Sequence, residues 1–322
     1  MKILIVRFSS IGDIVLTTPV PRCVKTQLEN AEVHYATKAQ YQSILESNPY
    51  VDRIFLLKDS LDELITELKK ENYDVVLDLH NNLRTRILKW KLGVRSFSFN
   101  KLNIEKWLMV NFKINKLPQE HIVDRYLATA KSIGVKNDAL GLDYFIPEKD
   151  EVPWDWFPET HRDGYVAYAI GAQHETKKLP VDRIIELCKK INRPIVLLGG
   201  KEDFENGEKV RLELEKEKQS ASIFNACGKF NLNQSADIVK KSDVIFSHDT
   251  GLMHIAAALK KEVYSIWGNT IPAFGMYPYR TSYHSLENKD LDCRPCSKIG
   301  YQKCPKGHFK CMRELQFDFR LK

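Results

Sequence analysis

Residues 247–251, Ser-His-Asp-Thr-Gly, are the first place in this chain where residue type and spacing suggest chemistry. They follow a short apolar, β-favouring run, Val244, Ile245 and Phe246, and precede an Ala-rich apolar segment at 252–259. A strand, a loop and a helix in that order leave the first N–H groups of the helix unpaired, at the positive end of its dipole. Such a terminus attracts anions and suits a diphosphate. Asp249 and Thr250 are capping residue types, and Gly251 lets a ligand approach the backbone. His254 lies one turn further on, on a face that can look back at the same ligand. An ordinary capped helix with a buried histidine has the same local pattern. A second set is Cys293, Cys296, Cys304 and Cys311. Its opening Cys-x2-Cys suits a structural zinc site, whereas the second pair is spaced more widely than a zinc knuckle. A third stretch, 84–116, is rich in Lys and Arg with Trp90, Phe97, Phe99, Trp107 and Phe112 interleaved. It is either an acceptor surface for anionic lipid or phosphorylated sugar, or a solvated face with an aromatic core side.

The bulk properties narrow the classes that can carry these groups. The 322 residues are 43% hydrophobic and 28% charged, the balance of a soluble globular chain with one large domain or two ordinary ones. No apolar run approaches the ~20 residues of a membrane span. MKILIVRFSS reads as a first strand rather than a secretory signal, so a cytoplasmic location is expected. A net charge of +7 fits an anionic small molecule, an anionic lipid surface or nucleic acid. A nucleic-acid binder needs a continuous basic stripe and a groove-reading element. The sequence has neither, and its acidic residues are spread throughout.

The elements that must position the candidate groups follow from periodicity. Strands are predicted at 2–8, 33–36, 53–57 and 74–79, with helices at 14–28, 41–47, 61–71 and 122–133. Pro19 and Pro21 predict an early break in the first helix. Pro147, Pro153 and Pro158, among charges and Trp154 and Trp156, mark a linker at 147–162. After it, strands at 165–170, 194–198, 222–225, 244–246 and 263–267 alternate with helices at 181–191, 205–218, 233–241 and 252–259. The reading is an α/β protein of two Rossmann-like doubly wound domains, 1–150 and 151–322, facing a central cleft. Ligands in such sheets bind at the C-terminal ends of the strands, where the loops 9–13 and 80–82 stand.

The N-terminal KILIVRFSSIGDIVLTTPV and the C-terminal HDTGLMHIAAAL resemble the heptosyltransferase family of glycosyltransferases, glycosyltransferase family 9. The similarity extends to NPYVDRIF, DLHNNLRT, GAQHETKKLP, LLGG and the Cys-rich tail, and its specificity lies in the paired SSIGD and DTGLMH motifs. The resemblance implies the GT-B fold. It also implies inverting, metal-independent transfer of heptose from ADP-heptose to a lipopolysaccharide core acceptor, an anionic lipid-linked glycan. Such an enzyme is expected in the cytoplasm, with peripheral contact at the inner membrane.

By the same resemblance Asp13 is the general base, with Ser10 and Gly12 in the loop around the donor; its alternative role is to cap its own helix. Lys177 is implied to contact the donor phosphates, with Lys178 as the alternative. Gln173 stands where the family commonly has Thr, and Leu179 where it often has Trp, so the register of this loop is open. Asp249, Thr250, Gly251 and His254 match the nucleotide-diphosphate site. Asp203, beyond Gly199-Gly200, is a candidate partner for the ribose hydroxyls, with Glu202 as its rival. No cofactor is required for the chemistry, and zinc at the four cysteines would be structural. The alternatives are a GT-B transferase using another nucleotide sugar, and a nucleotide-binding protein without catalysis, against which Asp13 argues.

Overall fold

The computed structural model describes residues 1–217 and 221–321. It divides into two compact units, Met1–Lys101 with Glu120–Phe145, and Leu102–Gln119 with Ile146–Lys322. The division falls after Phe145 rather than at 150, and the excursion Leu102–Gln119 groups with the second unit. The basic stretch at 84–116 is therefore not one surface of one domain.

Unit 1 begins with β1 (Lys2–Val6), α1 (Ile11–Thr17), α2 (Pro19–Gln27), β2 (Glu32–Lys38), β3 (Arg53–Leu57) and α3 (Leu61–Lys69). It continues with β4 (Val75–Asp78), α4 (Leu83–Leu92) and β5 (Ser96–Ser98). Next in sequence comes α5 (Asn103–Phe112), which belongs to unit 2, and then α6 (Ile122–Leu127), which returns to unit 1. The strands form a parallel sheet in the order β3-β2-β1-β4-β5. Ile3, Leu4, Ile5 and Val6 of β1 are all fully buried, which is why this strand reads as a continuous apolar run. The helix expected at 14–28 is two helices that meet at Thr18. Pro19 and Pro21 lie in the first turn of α2, where N–H groups have no intrahelical acceptor and their loss costs little. The segment expected as a helix at 41–47 is a tighter 3-10 turn, Ala39–Ile44.

Unit 2 contains β6 (Val166–Ala169), α7 (Val181–Ile191), β7 (Ile195–Leu198), α8 (Phe204–Glu215), β8 (Ile223–Asn225) and α9 (Leu232–Lys241). Then follow β9 (Val244–His248), α10 (Gly251–Ala258), β10 (Glu262–Trp267), β11 (Tyr283–Glu287) and α11 (Lys310–Arg313). Lys218, the last residue of one expected helix, lies outside the described residues. The parallel order is β11-β10-β9-β6-β7-β8, a doubly wound Rossmann arrangement. Successive residues of its strands feed opposite layers. Phe246 and Leu197 pack with Ile184 and Leu187 of α7 and Val210 of α8, while Ile245 and Val196 pack with Ile238 of α9 and Met253 of α10.

The 147–162 segment is a packed strap rather than a free linker. Asp150 accepts hydrogen bonds from the side-chain amides of Asn231 (2.8 Å) and Asn233 (2.9 Å), and Phe157 stacks on Tyr165. Strand order reverses between β1 and β4 in unit 1 and between β6 and β9 in unit 2. In open α/β sheets ligands bind beyond the strand ends at such switch points.

Buried Arg22 ties α2 to the 138–143 loop. Its guanidinium donates to Asp138 (2.7 and 2.9 Å), to Asp143 and to the Gly141 carbonyl (2.8 Å). Burial pushes the Asp138 carboxyl up, but the Arg22 hydrogen bonds and charge prevail and bring its pKa down to about 2. A carboxylate whose pKa is depressed on folding stabilises the protein above its unfolded value and loses that contribution as pH falls through the folded one. Arg22→Met should lower unfolding free energy at neutral pH by about 3 kcal/mol, because two carboxylates lose their counter-charge. It should also flatten the loss of stability between about pH 4 and pH 2. Urea denaturation of both proteins across that range checks this.

Candidate functional site

Two clusters of polar side chains occupy the two switch points. The first is in unit 1. Beyond β1 the chain turns at Ser9 and Ser10 into α1, and this places Asp13 in the first turn of that helix. Arg7 is the one charge in the run Ile3–Phe8, and it is buried. Its Nη2 lies 2.8 Å from Asp13 Oδ2. Its other N–H groups donate to the carbonyls of Ser9 (2.6 Å) and Leu79 (2.7 Å) and to the Tyr126 hydroxyl (3.2 Å). Asp13 Oδ2 also accepts from the Ser10 hydroxyl (3.0 Å) and the Ser10 N–H (3.3 Å). Burial pushes the Asp13 carboxyl up, but the Arg7 charge and the Ser10 hydrogen bonds outweigh it, so the net shift is downward. Asp13 therefore does cap its own helix, and it keeps a side chain 20% exposed while doing so. Gly12 is buried beside it.

His80 stands at the end of β4, with its ring 5.7 Å from that of Phe8. Burial, helped by the charges of Arg7 and Lys101, lowers its pKa to about 4, so it is neutral at physiological pH. Its Nδ1 is a buried atom with no hydrogen-bond partner among the described residues.

The second cluster is in unit 2. Ser247 and His248 belong to β9 itself, not to the loop after it, and both are fully buried. Thr250 occupies the N-cap position of α10 without a side-chain cap hydrogen bond, and the first residue of the helix is Gly251. Asp249 Oδ2 pairs with Lys177 Nζ at 2.6 Å and accepts from Thr270 Oγ1 at 2.9 Å. Lys177 also reaches the Asp249 carbonyl at 3.3 Å. The loop 171–180 thus lies against the N-terminus of α10. His248 Nε2 accepts the Leu179 N–H at 3.0 Å, which fixes the same loop from below and leaves the ring proton on Nδ1. Burial lowers the His248 pKa to about 3. His254 is buried within α10.

Asp203 has a different setting from the one expected of a ribose partner. It is 2% exposed, and its carboxylate accepts from the Gly200 N–H (3.0 Å) and pairs with Lys178 (3.0 Å). Gly171 and Gly199 leave room for it: a Cβ on Gly171 would stand 2.3 Å from Asp203 Oδ2, and one on Gly199 2.8 Å from its Cβ. Burial lowers the Lys178 pKa, but Glu175 and Asp203 together raise it. Lys178 is thereby committed within the loop, whereas Gln173 and Glu202 are exposed.

Periodicity missed three residues here. Arg7 could have been found as a charge directly after the buried run Ile3–Val6. His80 was placed at a strand end but given no role. Asn269, two residues past β10, is 2% exposed, with neither amide atom bonded among the described residues. Its only signal is a polar residue where an apolar strand stops.

The four tail cysteines are free thiols that share one electrostatic neighbourhood; burial pushes Cys296 up to about 11 and Cys311 up to about 12. A tetrahedral thiolate site needs sulfurs ~4 Å apart. Among the described residues the only group of three potential ligand atoms within 4.8 Å of one another is Glu32, His34 and Glu71. Among the described residues no three of the four cysteine sulfurs lie within 4.8 Å of one another. Glu32 and Glu71 are already neutralised by Lys2 (3.2 and 2.9 Å), and Glu71 also by Arg53.

Two Rossmann-like units, each a doubly wound parallel sheet, give the chain the GT-B fold. The sequence model described as "Glycosyltransferase family 9 (heptosyltransferase)" matches residues 62–305, and the chain belongs to that family. It is 26% identical over 319 residues to lipopolysaccharide heptosyltransferase 1 of Campylobacter coli, covering 91% of this chain and 89% of that protein. The fold is similar to that of a family 9 glycosyltransferase from Veillonella parvula (TM-score 0.74, 23% identity, 90% and 88% of the two chains). It is also similar to E. coli ADP-heptose lps heptosyltransferase II (TM-score 0.71, 19% identity, 98% of each chain).

The His248 setting makes a thermodynamic prediction. An imidazole that binds its proton more weakly in the folded state makes stability rise with pH. The contribution is complete above about pH 6.5 and is lost as pH falls toward the folded value. His248→Gln keeps an acceptor for the Leu179 N–H and removes the titration. Its stability should fall less steeply between about pH 6 and pH 4, by roughly 1.4 kcal/mol per pH unit. Urea midpoints of both proteins at fixed ionic strength measure the two slopes, and equal slopes would refute the assignment.

Proposed function

We propose that this enzyme transfers heptose from ADP-heptose to a lipopolysaccharide core acceptor, with inversion at the anomeric carbon and without a metal ion in the chemistry. The observation that carries the reading is Asp13: a partly exposed carboxylate, held ionised by Arg7 and Ser10, at the β1/β4 switch point. The names of the relatives supply the substrates, since the similar proteins that span most of this chain are heptosyltransferases of lipopolysaccharide or lipooligosaccharide.

In the proposed step the acceptor hydroxyl gives its proton to Asp13, and its oxygen forms a bond to the anomeric carbon. The bond from that carbon to the β-phosphate oxygen breaks, and ADP leaves with the electron pair. Positive charge must meet the departing diphosphate. Lys177 and the N–H groups of Thr250, Gly251 and their successors in α10 are assigned that task, with Ser10 and Gly12 lining the loop beside the base. His254 backs the helix from inside. Neutral His80 is assigned to orient the acceptor hydroxyl. Asp203, enclosed and paired with Lys178, fixes the 171–180 loop, and exposed Glu202 takes over the ribose hydroxyls. Gln173 remains assigned to the donor side as an exposed loop residue. A lipid-linked acceptor calls for peripheral membrane contact; among the described residues no helix is long and apolar enough to cross a membrane.

Asp13→Asn should lower turnover by about 10²–10⁴-fold, the span of a positioned base, while ADP and ADP-heptose still raise its melting temperature. Lys177→Ala should lose turnover and most of the ADP shift together. Turnover by Asp13→Asn within about tenfold of wild type would remove the base assignment. Greater stabilisation by UDP or GDP than by ADP would replace the donor.

A further inference from the structure

We propose that α5 and the 293–313 segment of unit 2 form a surface that seats this protein on an anionic phospholipid bilayer; its link to a lipid-borne acceptor rests on the function proposed above. A globular helix normally turns its apolar stripe inward. In α5 no residue is buried, and Ile104, Trp107 and Phe112 are 72%, 55% and 59% exposed. These three lie on one face at helical spacing, and the Trp107 and Phe112 rings meet edge-on at 5.2 Å. The opposite edge of the helix is the anchored one. The Lys106 ammonium lies 5.9 Å over the Phe274 ring, and Lys113 Nζ donates to the Pro295 carbonyl at 2.7 Å and the Cys293 carbonyl at 3.3 Å. The stripe is therefore held outward by contacts within unit 2.

The segment that Lys113 grips adds to the same surface. Ile299 and Tyr301 are 57% and 43% exposed, and the Tyr301 hydroxyl donates to the Cys296 carbonyl. Charge selects the occupant. Residues 102–119 and 293–313 together carry nine Lys or Arg and a single acid, Glu105. Lys113, Lys116, Lys298, Lys303 and Lys306 are exposed. Two copies of so basic a face repel one another, which disfavours self-association. An apolar stripe holding Trp and Phe, rimmed by lysines, has the composition of a helix lying in the interface plane of a bilayer. Its lysines face anionic headgroups, an attraction that weakens with salt.

The test is flotation of the full chain with phosphatidylcholine vesicles and with vesicles that also contain phosphatidylglycerol. Wild type should float with the anionic vesicles, less so in high salt. Ile104→Ser with Trp107→Ser should bind them on the order of tenfold or more weakly, as should Lys298→Glu with Lys303→Glu. Both variants should keep wild-type turnover on a delipidated, water-soluble acceptor. Vesicle binding that is absent, indifferent to phosphatidylglycerol or unchanged in the variants overturns the surface, as does light scattering that shows a Trp107-dependent dimer. If heptose transfer fails while Trp107-dependent flotation persists, the substrate reading falls and the surface stands.

Discussion

A guanidinium buried at the end of a parallel strand is the constraint on which the first site depends. Arg7 is 7% exposed, and an unpaired charge there would cost several kcal/mol. The fold answers with two backbone carbonyls, a tyrosine hydroxyl and one carboxylate. Those partners come from the β1 loop, the end of β4, α6 and α1, so a single side chain gathers four elements at the switch point. The consequence for chemistry is electrostatic. Asp13 cannot be neutral at physiological pH without stranding Arg7, so its ionisation is coupled to the integrity of the unit.

Unit 2 solves a related problem with a different arrangement. The N-terminus of α10 and Lys177 both present positive charge to the same loop, and like charges there would repel. Asp249 lies between them, paired with Lys177 and steadied by Thr270. The site is thus close to neutral by itself and has donors already oriented. In the proposed function the departing diphosphate would share Lys177 with Asp249 without a large reorganisation of the lysine, which is the saving that preorganisation provides. The Asp203–Lys178 pair beneath Gly171 and Gly199 holds the other side of the loop, and here the glycines matter for space rather than for backbone freedom.

Much of this was legible in the sequence, for identifiable reasons. Strands buried on both faces are continuous apolar runs, so β1, β4, β6, β7, β9 and β10 stood out. Two of the four edge strands did not: β5, Ser-Phe-Ser, buries no residue, and β11 buries only Leu286. α4 and α5 were hidden because α4 buries only Thr85 and Leu88, and α5 buries no residue. The strap at 147–162 looked like a linker because Pro and Trp signal irregular backbone but do not reveal whether it packs. The motifs around Asp13 and Asp249 marked the sites, but partner choice is a tertiary fact. No spacing rule pairs Arg7 with Asp13, or gives Lys177 to Asp249 and Lys178 to Asp203.

A carboxylate with a depressed pKa is a weak base, and that bears on how the proposed reaction would use Asp13. Against a resting hydroxyl the proton transfer would be steeply uphill, so a base of this kind contributes little if the proton moves first. Against a hydroxyl whose oxygen is already bonding to a cationic anomeric centre, the proton is acidic and any ionised carboxylate in line suffices. The requirement is then availability rather than strength: the carboxylate must be unprotonated and aimed when the oxygen commits. In the proposed step Arg7 and Ser10 serve both needs, the first by charge and the second by two hydrogen bonds that, like the Arg7 pair, hold the same carboxylate oxygen, Oδ2. The pairing that lowers Asp13 as a base is, on this argument, what suits it to a transition state in which bond making to carbon runs ahead of proton transfer.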